Sequence, residues 1–245
     1  EAEKLEWLDR EYLSSYDRKD CHADSSIPLQ KAFEGPVERE ITYSVTEEEG
    51  TADRTYLSVN TVVGTSLDPV LYIAFNILEY TLINVPGAPL KQALIDAGIG
   101  KDVMGSYDEG VYQPTFSIIS KNANPEQKEE FLKTIRDTLS AIVEKGMDKQ
   151  ALLAGINYYE FRFREADFGN YPKGLMYGLQ AFDSWLYDEN QPFMHLEALD
   201  TFRFLKEQVG RGYYEQLIQK YLIENTHASV VMIVPRQGLT AQMDQ

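Results

Sequence analysis

Three histidines, His22, His195 and His227, are the residues whose type could hold a metal or move a proton at neutral pH. Their spacing decides what they can do. A zinc hydrolase needs two imidazoles on one helical face with a glutamate beside them, to hold the ion and to deprotonate its water. Here the histidines are separated from one another by more than 30 residues. His195-Leu196-Glu197 lacks a second histidine and reads as a polar residue on a helix. His22 follows Cys21 in a turn-forming run and falls short of a zinc ligand set. His227, close to the start of a strand, reads as a cap or a solvent-facing residue. No catalytic and no metal-binding residue is assigned on this basis, and the substrate-binding residues stay unknown.

Other chemistries fail the same test. Gly98-Ile99-Gly100-Lys101-Asp102-Val103 lacks the third glycine of a dinucleotide loop and follows a helix where a strand is required. It reads as a helix stop. Gly64-Thr65-Ser66-Leu67-Asp68 lacks the last glycine of a nucleophile elbow, and a serine there would depend on a histidine folding towards it from far away. Asp108 and Glu109 are adjacent acids in a strand or hairpin, where neighbours point to opposite faces, so they read as solvated loop acids without a shared proton. Tyr158 to Glu165 mixes aromatic rings with both signs of charge along one helix. It could form a peptide-contacting wall, but Tyr159 and Phe163 stand at the i, i+4 spacing of a packed stripe, with Arg162 and Glu165 at the spacing of a surface pair.

The elements that must position these residues follow from periodicity and punctuation. Residues 1–20 read as a helix carrying Leu5, Leu8 and Tyr12 with Trp7, and 21–36 as a surface linker. Val37 to Val45 and Thr55 to Val63 alternate as strands and form a plausible antiparallel pair. Ser66 or Asp68 caps a helix with Pro69 in its first turn and Leu71, Phe75, Leu78 and Leu82 on one face. Residues 84–120 then run helix, turn, strand, turn, strand. Leu90, Leu94 and Ile95 keep helical spacing, Gly98 and Gly100 stop the helix, and Val103 to Tyr112 and Thr115 to Ile119 are the strands.

Asn122 or Asn124 with Pro125 starts a helix striped by Phe131, Leu132, Ile135, Leu139, Ile142 and Val143 and ended by Gly146. Asp148 caps the next, through Leu152, Ile156, Tyr159 and Phe163. Asn170-Tyr171-Pro172 introduces another through Leu175, Leu179, Phe182 and Leu186. Pro192 opens a helix through Leu196, Leu199 and Leu205, Tyr213 to Leu222 forms the last, and Ala228 to Val234 reads as a closing buried strand. The predicted class is α+β, with helices packed on one face of a mainly antiparallel sheet. A single unit is expected from 37 to 245.

Composition bounds the partners. The 245 residues carry 39 acidic and 23 basic side chains, net −16, and residues 1–60 alone hold 15 acids against 7 bases. Such a field repels nucleic-acid backbones and anionic lipid and favours cationic partners such as basic peptides, although solubility alone would also account for it. No basic patch interleaved with aromatic residues is present. The most apolar stretch, Val70 to Val85, is interrupted by Asn76, Glu79 and Asn84, so no membrane-spanning segment is expected. The single cysteine excludes an intrachain disulfide and favours a reducing compartment, cytoplasmic in a bacterium or an organelle interior. The chain begins Glu1-Ala2-Glu3-Lys4 inside a helical pattern, which leads to the expectation that it was cut from something longer.

The order of landmarks resembles the insulinase and pitrilysin metallopeptidase superfamily, in particular its presequence-protease, falcilysin-like branch. The landmarks are Pro36-Val37 at the first strand, Gly87-Ala88-Pro89-Leu90 with Leu94 and Gly98, Gln113 to Ile118, Phe161 to Arg164 with Gly169, Pro172 and Gly174-Leu175, and Trp185 to Asp188 with Pro192. The resemblance runs from about Leu29 to Pro235. It implies the processing-peptidase-like fold and the second, non-catalytic domain of the N-terminal half. Residues 1–20 would then be the terminal helix of the preceding catalytic domain.

The superfamily holds zinc through H-x-x-E-H, and that string does not occur here. The resemblance therefore implies no cofactor in this chain and zinc in the missing catalytic domain, with no site residue carried over. It implies a zinc-dependent metalloendopeptidase that degrades short unfolded peptides, in which this domain packs on the catalytic domain and supplies part of the substrate chamber. The implied partners are that domain, the C-terminal half and the peptides, with neither nucleic acid nor membrane. Two other readings stay open: a free-standing inactive peptide-binding or assembly module of the same fold, and an unrelated enzyme using carboxylates such as Asp108 or Glu109.

Overall fold

A computed structural model describes residues 1–17 and 26–239. Cys21, His22 and residues 21–25 of the expected linker lie outside the described residues. The N-terminal helix α1 (Ala2–Leu8) continues through a wider π-turn to Leu13, and none of its residues is buried. Five strands, β1 (Val37–Val45), β2 (Thr55–Val62), β3 (Asp102–Asp108), β4 (Thr115–Ala123) and β5 (Ala228–Gln237), form one sheet in the order β1-β5-β2-β4-β3.

The expected antiparallel pairing of the first two strands does not occur. The C-terminal strand β5 lies between them, parallel to β1 and antiparallel to β2. Two sequential alternating strands read as a hairpin when nothing local says otherwise, and here a strand from the far end of the chain supplies the better apolar neighbour. The remaining pairs, β2 with β4 and β4 with β3, are antiparallel. The β5 strand is also less covered than expected, with only Ala228 and Val230 buried.

Register aligns the buried side chains in rows. Leu57 stands opposite Ser120, which stands opposite Val103; Thr61 stands opposite Phe116, which stands opposite Tyr107. This face carries the central helix α2 (Pro69–Glu79), which continues as a π-turn to Asn84. Asp68 Oδ1 accepts from the Val70 and Leu71 amides at 3.0 Å each and satisfies two of the donors that a helix start leaves free. Phe75, Leu78 and Leu82 are fully buried, each contributing about 1.5–3 kcal/mol of transfer free energy. The helical run Pro69–Asp96 is long and apolar enough to cross a bilayer by length and composition, but here its apolar residues form the core of the domain.

Close approach of the helices depends on small residues. A Cβ on Gly105 of β3 would stand 2.8 Å from Ile83 Cδ1 and 3.3 Å from Ile83 Cβ, so the glycine lets the π-turn lie on the sheet without displacing the Ile83 side chain. Helices α3 (Pro89–Asp96) and α4 (Lys128–Lys145) pack beside one another, with Leu90, Leu94, Phe131, Ile135 and Leu139 buried. Ile95 instead faces solvent, because the short helix offers the core one stripe only. The Asn124 amide donates to Gln127 Oε1 at 2.9 Å just ahead of α4, so Asn124 and not Asn122 marks its start.

Helix α5 (Lys149–Glu165) is capped by Asp148 as expected, and Gly155 brings it against Thr81 and Tyr80. Helix α6 (Lys173–Trp185) forms where Pro172 predicts it, but its apolar stripe is not core. Leu175 is 53 % exposed, Leu179 51 %, Phe182 44 % and Leu186 65 %. Periodicity shows that a helix has an apolar face without saying what covers it, and here the face stays about half exposed among the described residues.

The helix expected from Pro192 is broken in two, a 3₁₀ turn at Met194–Leu196 and helix α7 (Leu199–Glu207). The break at Glu197-Ala198 lets His195 turn inward while Phe202 and Leu205 still reach the core. Helix α8 (Tyr213–Ile218), with a π-turn to Ile223, leads into β5.

Candidate functional site

A partly open cavity of about 180 Å³ lies between α2, the β3–β4 turn, α5, α6 and the His195 turn. Its walls are mainly rings: Tyr72 from α2, Tyr159 and Phe163 from α5, Phe168 after it, Tyr177 from α6 and Phe202 from α7. Phe163 lies against Phe202 with centroids 5.8 Å apart, and Phe168 meets Tyr177 edge-on at 5.2 Å. The i, i+4 pair of Tyr159 and Phe163 therefore does both things the sequence left open, packing on the core and lining a cavity.

His195 is not a polar residue on a helix surface. It is 3 % exposed and stacks on Tyr72 with centroids 3.8 Å apart and planes 20° off parallel. Burial pushes its pKa down, opposed by a backbone hydrogen bond with Ser66, so the ring is neutral at physiological pH. Its Nε2 has no hydrogen-bond partner. The serine of the elbow-like stretch has thus met a distant histidine, but only through its backbone. Ser66 is fully buried and its Oγ is also unpartnered, so the pair is not joined as a nucleophile and base must be.

Glu109 overturns the solvated-loop expectation. β3 ends at Asp108, which stays exposed, while Glu109 falls in the turn beyond and is half-buried against the cavity. Burial drives its pKa up to about 7, helped by the negative charges of Asp183, Glu79 and Asp108. Desolvation likewise raises Glu79 and Asp183, and the Tyr72 hydroxyl, donating to Asp183 Oδ2 at 2.8 Å, restrains the latter. Asp183 Oδ1 lies 3.4 Å from where a Cβ on Gly110 would stand, which puts α6 directly over the turn that carries Glu109.

The mouth carries two exposed charges. Arg162 reaches over the Tyr158 ring, 5.6 Å from its centroid, and donates to the Asp167 carbonyl at 3.5 Å; the expected pairing with Glu165 is not made. Glu160 instead binds Arg164 and Lys206. His227 is also not solvent-facing: it is buried and meets Phe33 edge-on at 4.7 Å.

Among the described residues no three His, Cys, Asp or Glu side chains converge as metal ligands would. His195 and His227 sit in separate parts of the fold, and the residues present do not fit a zinc site. Sequence reasoning missed Tyr72, Glu109, Gln180 and Asp183 as one constellation. The available signal was polarity inside apolar stripes, at Asn76 and Glu79 on α2 and Asp183 beside Phe182 on α6.

Residues 1–159 match the sequence profile of the peptidase M16 inactive domain. The chain belongs to the M16 inactive-domain family. As an M16 inactive domain it is 43 % identical over 236 residues to Protein HypA of Clostridium perfringens, covering 96 % of this chain and 24 % of that protein. It is 29 % identical to presequence protease 1 of Arabidopsis thaliana, covering 92 % of this chain and 21 % of the relative. The chain thus spans about a quarter of the length of these relatives or less. Among solved structures, a protease from Helicobacter pylori superposes with a TM-score of 0.63 at 15 % identity over 96 % of this chain and 53 % of the other. The resemblance to the insulinase superfamily and its presequence-protease branch, and the α+β peptidase fold with its mainly antiparallel sheet, hold.

Proposed function

We propose that this M16 inactive domain is a non-catalytic part of a zinc-dependent, peptide-degrading metalloendopeptidase, packed on the catalytic domain and forming part of the substrate chamber. The observation that carries the reading is the uncovered apolar stripe of α6, Leu175, Leu179, Phe182 and Leu186, joined by an α1 without one buried residue. Contiguous apolar faces of that kind mark surfaces that another element covers, and the relatives are about four times longer than this chain. On this reading residues 1–20 close the preceding domain, 21–36 link it, and 37–245 form the inactive unit. Zinc belongs to the catalytic neighbour, since this chain's histidines offer no ligand set, and the acidic net charge suits short basic peptides in a reducing compartment.

The test is reconstitution. The chain alone should hydrolyse no peptide with or without zinc, and adding the remaining polypeptide of its parent should give a complex with zinc-dependent peptidase activity. Zinc-independent turnover by the chain alone, abolished by changing Asp108 or Glu109, would overturn the reading.

A further inference from the structure

The cavity beside His195 has a polar inventory with a marked bias. The Asn76 amide nitrogen gives one of its two hydrogens to the Tyr72 carbonyl at 2.9 Å, and that of Gln180 gives one to the His195 carbonyl at 3.4 Å, which leaves each side chain its oxygen and one N–H. Neutral His195, its backbone bond made to Ser66, offers the lone pair of Nε2, unpartnered in a residue 97 % removed from solvent. Glu109 adds a carboxylate. The interior thus presents four acceptor groups; against them stand the phenols, which both donate and accept, one remaining N–H each on Asn76 and Gln180, and the Arg162 guanidinium at the mouth.

An acceptor-rich set with acidic surroundings favours a cationic ligand that donates. Lysine brings three donors and no acceptor, arginine five, and both carry an aliphatic stem that lies well along aromatic walls. Tyr72, Tyr159 and Phe168 supply the aromatic rings of those walls, where a cation could gain cation–π attraction. The surrounding charge agrees: Glu79, Asp108 and Asp183 act on Glu109, and among the residues lining the cavity Arg162 at the mouth is the one Lys or Arg against them, with Asp167 also in the lining. A glutamate side chain would bring a further negative charge against Glu109, Glu79, Asp108 and Asp183, and an apolar one would leave Nε2 and the carboxylate unpaired.

We propose that this cavity is a receptor for one basic side chain, lysine or arginine, of an unfolded peptide, with Glu109 as counter-ion and His195 Nε2 as acceptor. This rests on the peptide-chamber reading and adds a specificity subsite to it. Because Glu109 titrates near 7 and His195 stays neutral, the cation is held more tightly as the carboxyl ionises. The phenols of Tyr72, Tyr107 and Tyr159, all pushed upward by burial, stay protonated throughout.

The experiment is a titration of the 245-residue chain, followed by ¹H–¹⁵N shifts, with the N-acetyl amides of lysine, arginine, norleucine and glutamate. Saturable shifts around Tyr72, Glu109 and His195 are expected with lysine or arginine, about tenfold weaker with norleucine and absent with glutamate. Binding should weaken about tenfold from pH 8 to pH 6, as for one carboxylate titrating near 7. Glu109→Gln should lose about tenfold, and Gln180→Leu, which leaves the charge in place, should lose less with the fold unchanged. Equal binding of norleucine and lysine, no shift with any amide, or full lysine affinity in Glu109→Gln would overturn the subsite. Because the measurement uses this chain alone, such a failure leaves the reconstitution test of the domain's role standing.

Discussion

The Tyr72 hydroxyl donates to Asp183 Oδ2 across 2.8 Å, and this hydrogen bond ties the buried central helix α2 to the largely exposed helix α6. The two residues are 111 positions apart, and α6 otherwise rests mainly on the His195 turn. The bond favours the ionised carboxyl, opposing the desolvation that raises the Asp183 pKa. Tyr72→Phe leaves a half-buried carboxylate without its donor, so it should cost about 1–2 kcal/mol at pH 8. Near pH 5 the loss should be smaller, because Asp183 then carries more of its proton. Urea denaturation at the two pH values measures both; equal losses would show that the carboxylate is not what the hydroxyl stabilises.

Glu109 should make the domain less stable as pH rises. Below its ordinary value of 4.5 both folded and unfolded chains hold the proton and the group contributes nothing. Between 4.5 and about 7 the unfolded chain has released it while the folded chain retains it, which draws the equilibrium towards unfolding, and above about 7 the penalty is complete. Glu109→Gln removes this dependence. Allowing for partial exposure, it should stabilise the domain by on the order of 2 kcal/mol at pH 8 and hardly at all at pH 4.5. Thermal unfolding across that range decides it, and a variant no more stable than the parent at pH 8 would refute the assignment.

The legible parts of this molecule were those specified within one element. Asp68 and Asp148 as caps, the Phe131-Ile135-Leu139 stripe and the strand–turn–strand after Gly100 are each set by neighbours a few residues away. Pairing was not legible, since nothing near Val37 or Thr55 announces that Ala228–Gln237 enters between them. The site was not legible for the same reason. Whether Glu109 is a solvated turn acid or a desolvated one depends on Asp183 and Tyr72 arriving from other elements, and inward rotation of His195 depends on a helix break that Pro192 does not encode.

Gly100 tests the segment that marks the family. Its φ of +70° belongs to the left-handed region, and a Cβ there would collide with Ser120 Oγ and stand 2.5 Å from the Lys121 carbonyl oxygen. Ser120 Oγ already donates to the Ile99 carbonyl at 2.8 Å, and the Lys101 amide donates to the Lys121 carbonyl at the same distance. Gly100→Ala must therefore strain the backbone and displace two buried or sheet-edge bonds together, at a cost of roughly 2–4 kcal/mol. Gly98→Ala, with a φ of +68° but open space around it, should cost only about 1 kcal/mol. Chemical denaturation of both variants gives the comparison, and equal losses would mean that the Ser120–Lys121 contact does not constrain the turn.

The exposed stripe of α6 separates a folding role from a docking role. A residue buried in the domain cannot be made polar without loss, whereas Leu175, Leu179 and Phe182 already face water and should accept serine at about 0.5 kcal/mol or less per site. Replacing all three should leave the unfolding midpoint of the isolated chain nearly unchanged. If the stripe is covered by the rest of the parent polypeptide, the same triple variant should weaken association with that remainder by at least about tenfold, because a contiguous apolar interface loses several buried side chains at once. Substituting Ile41, which is 52 % exposed but stands on strand β1, provides a surface control. Sedimentation of the chain mixed with the remaining polypeptide reads the outcome. An unchanged complex would place the domain contact elsewhere, and a collapsed midpoint would show that the stripe serves the domain's own fold.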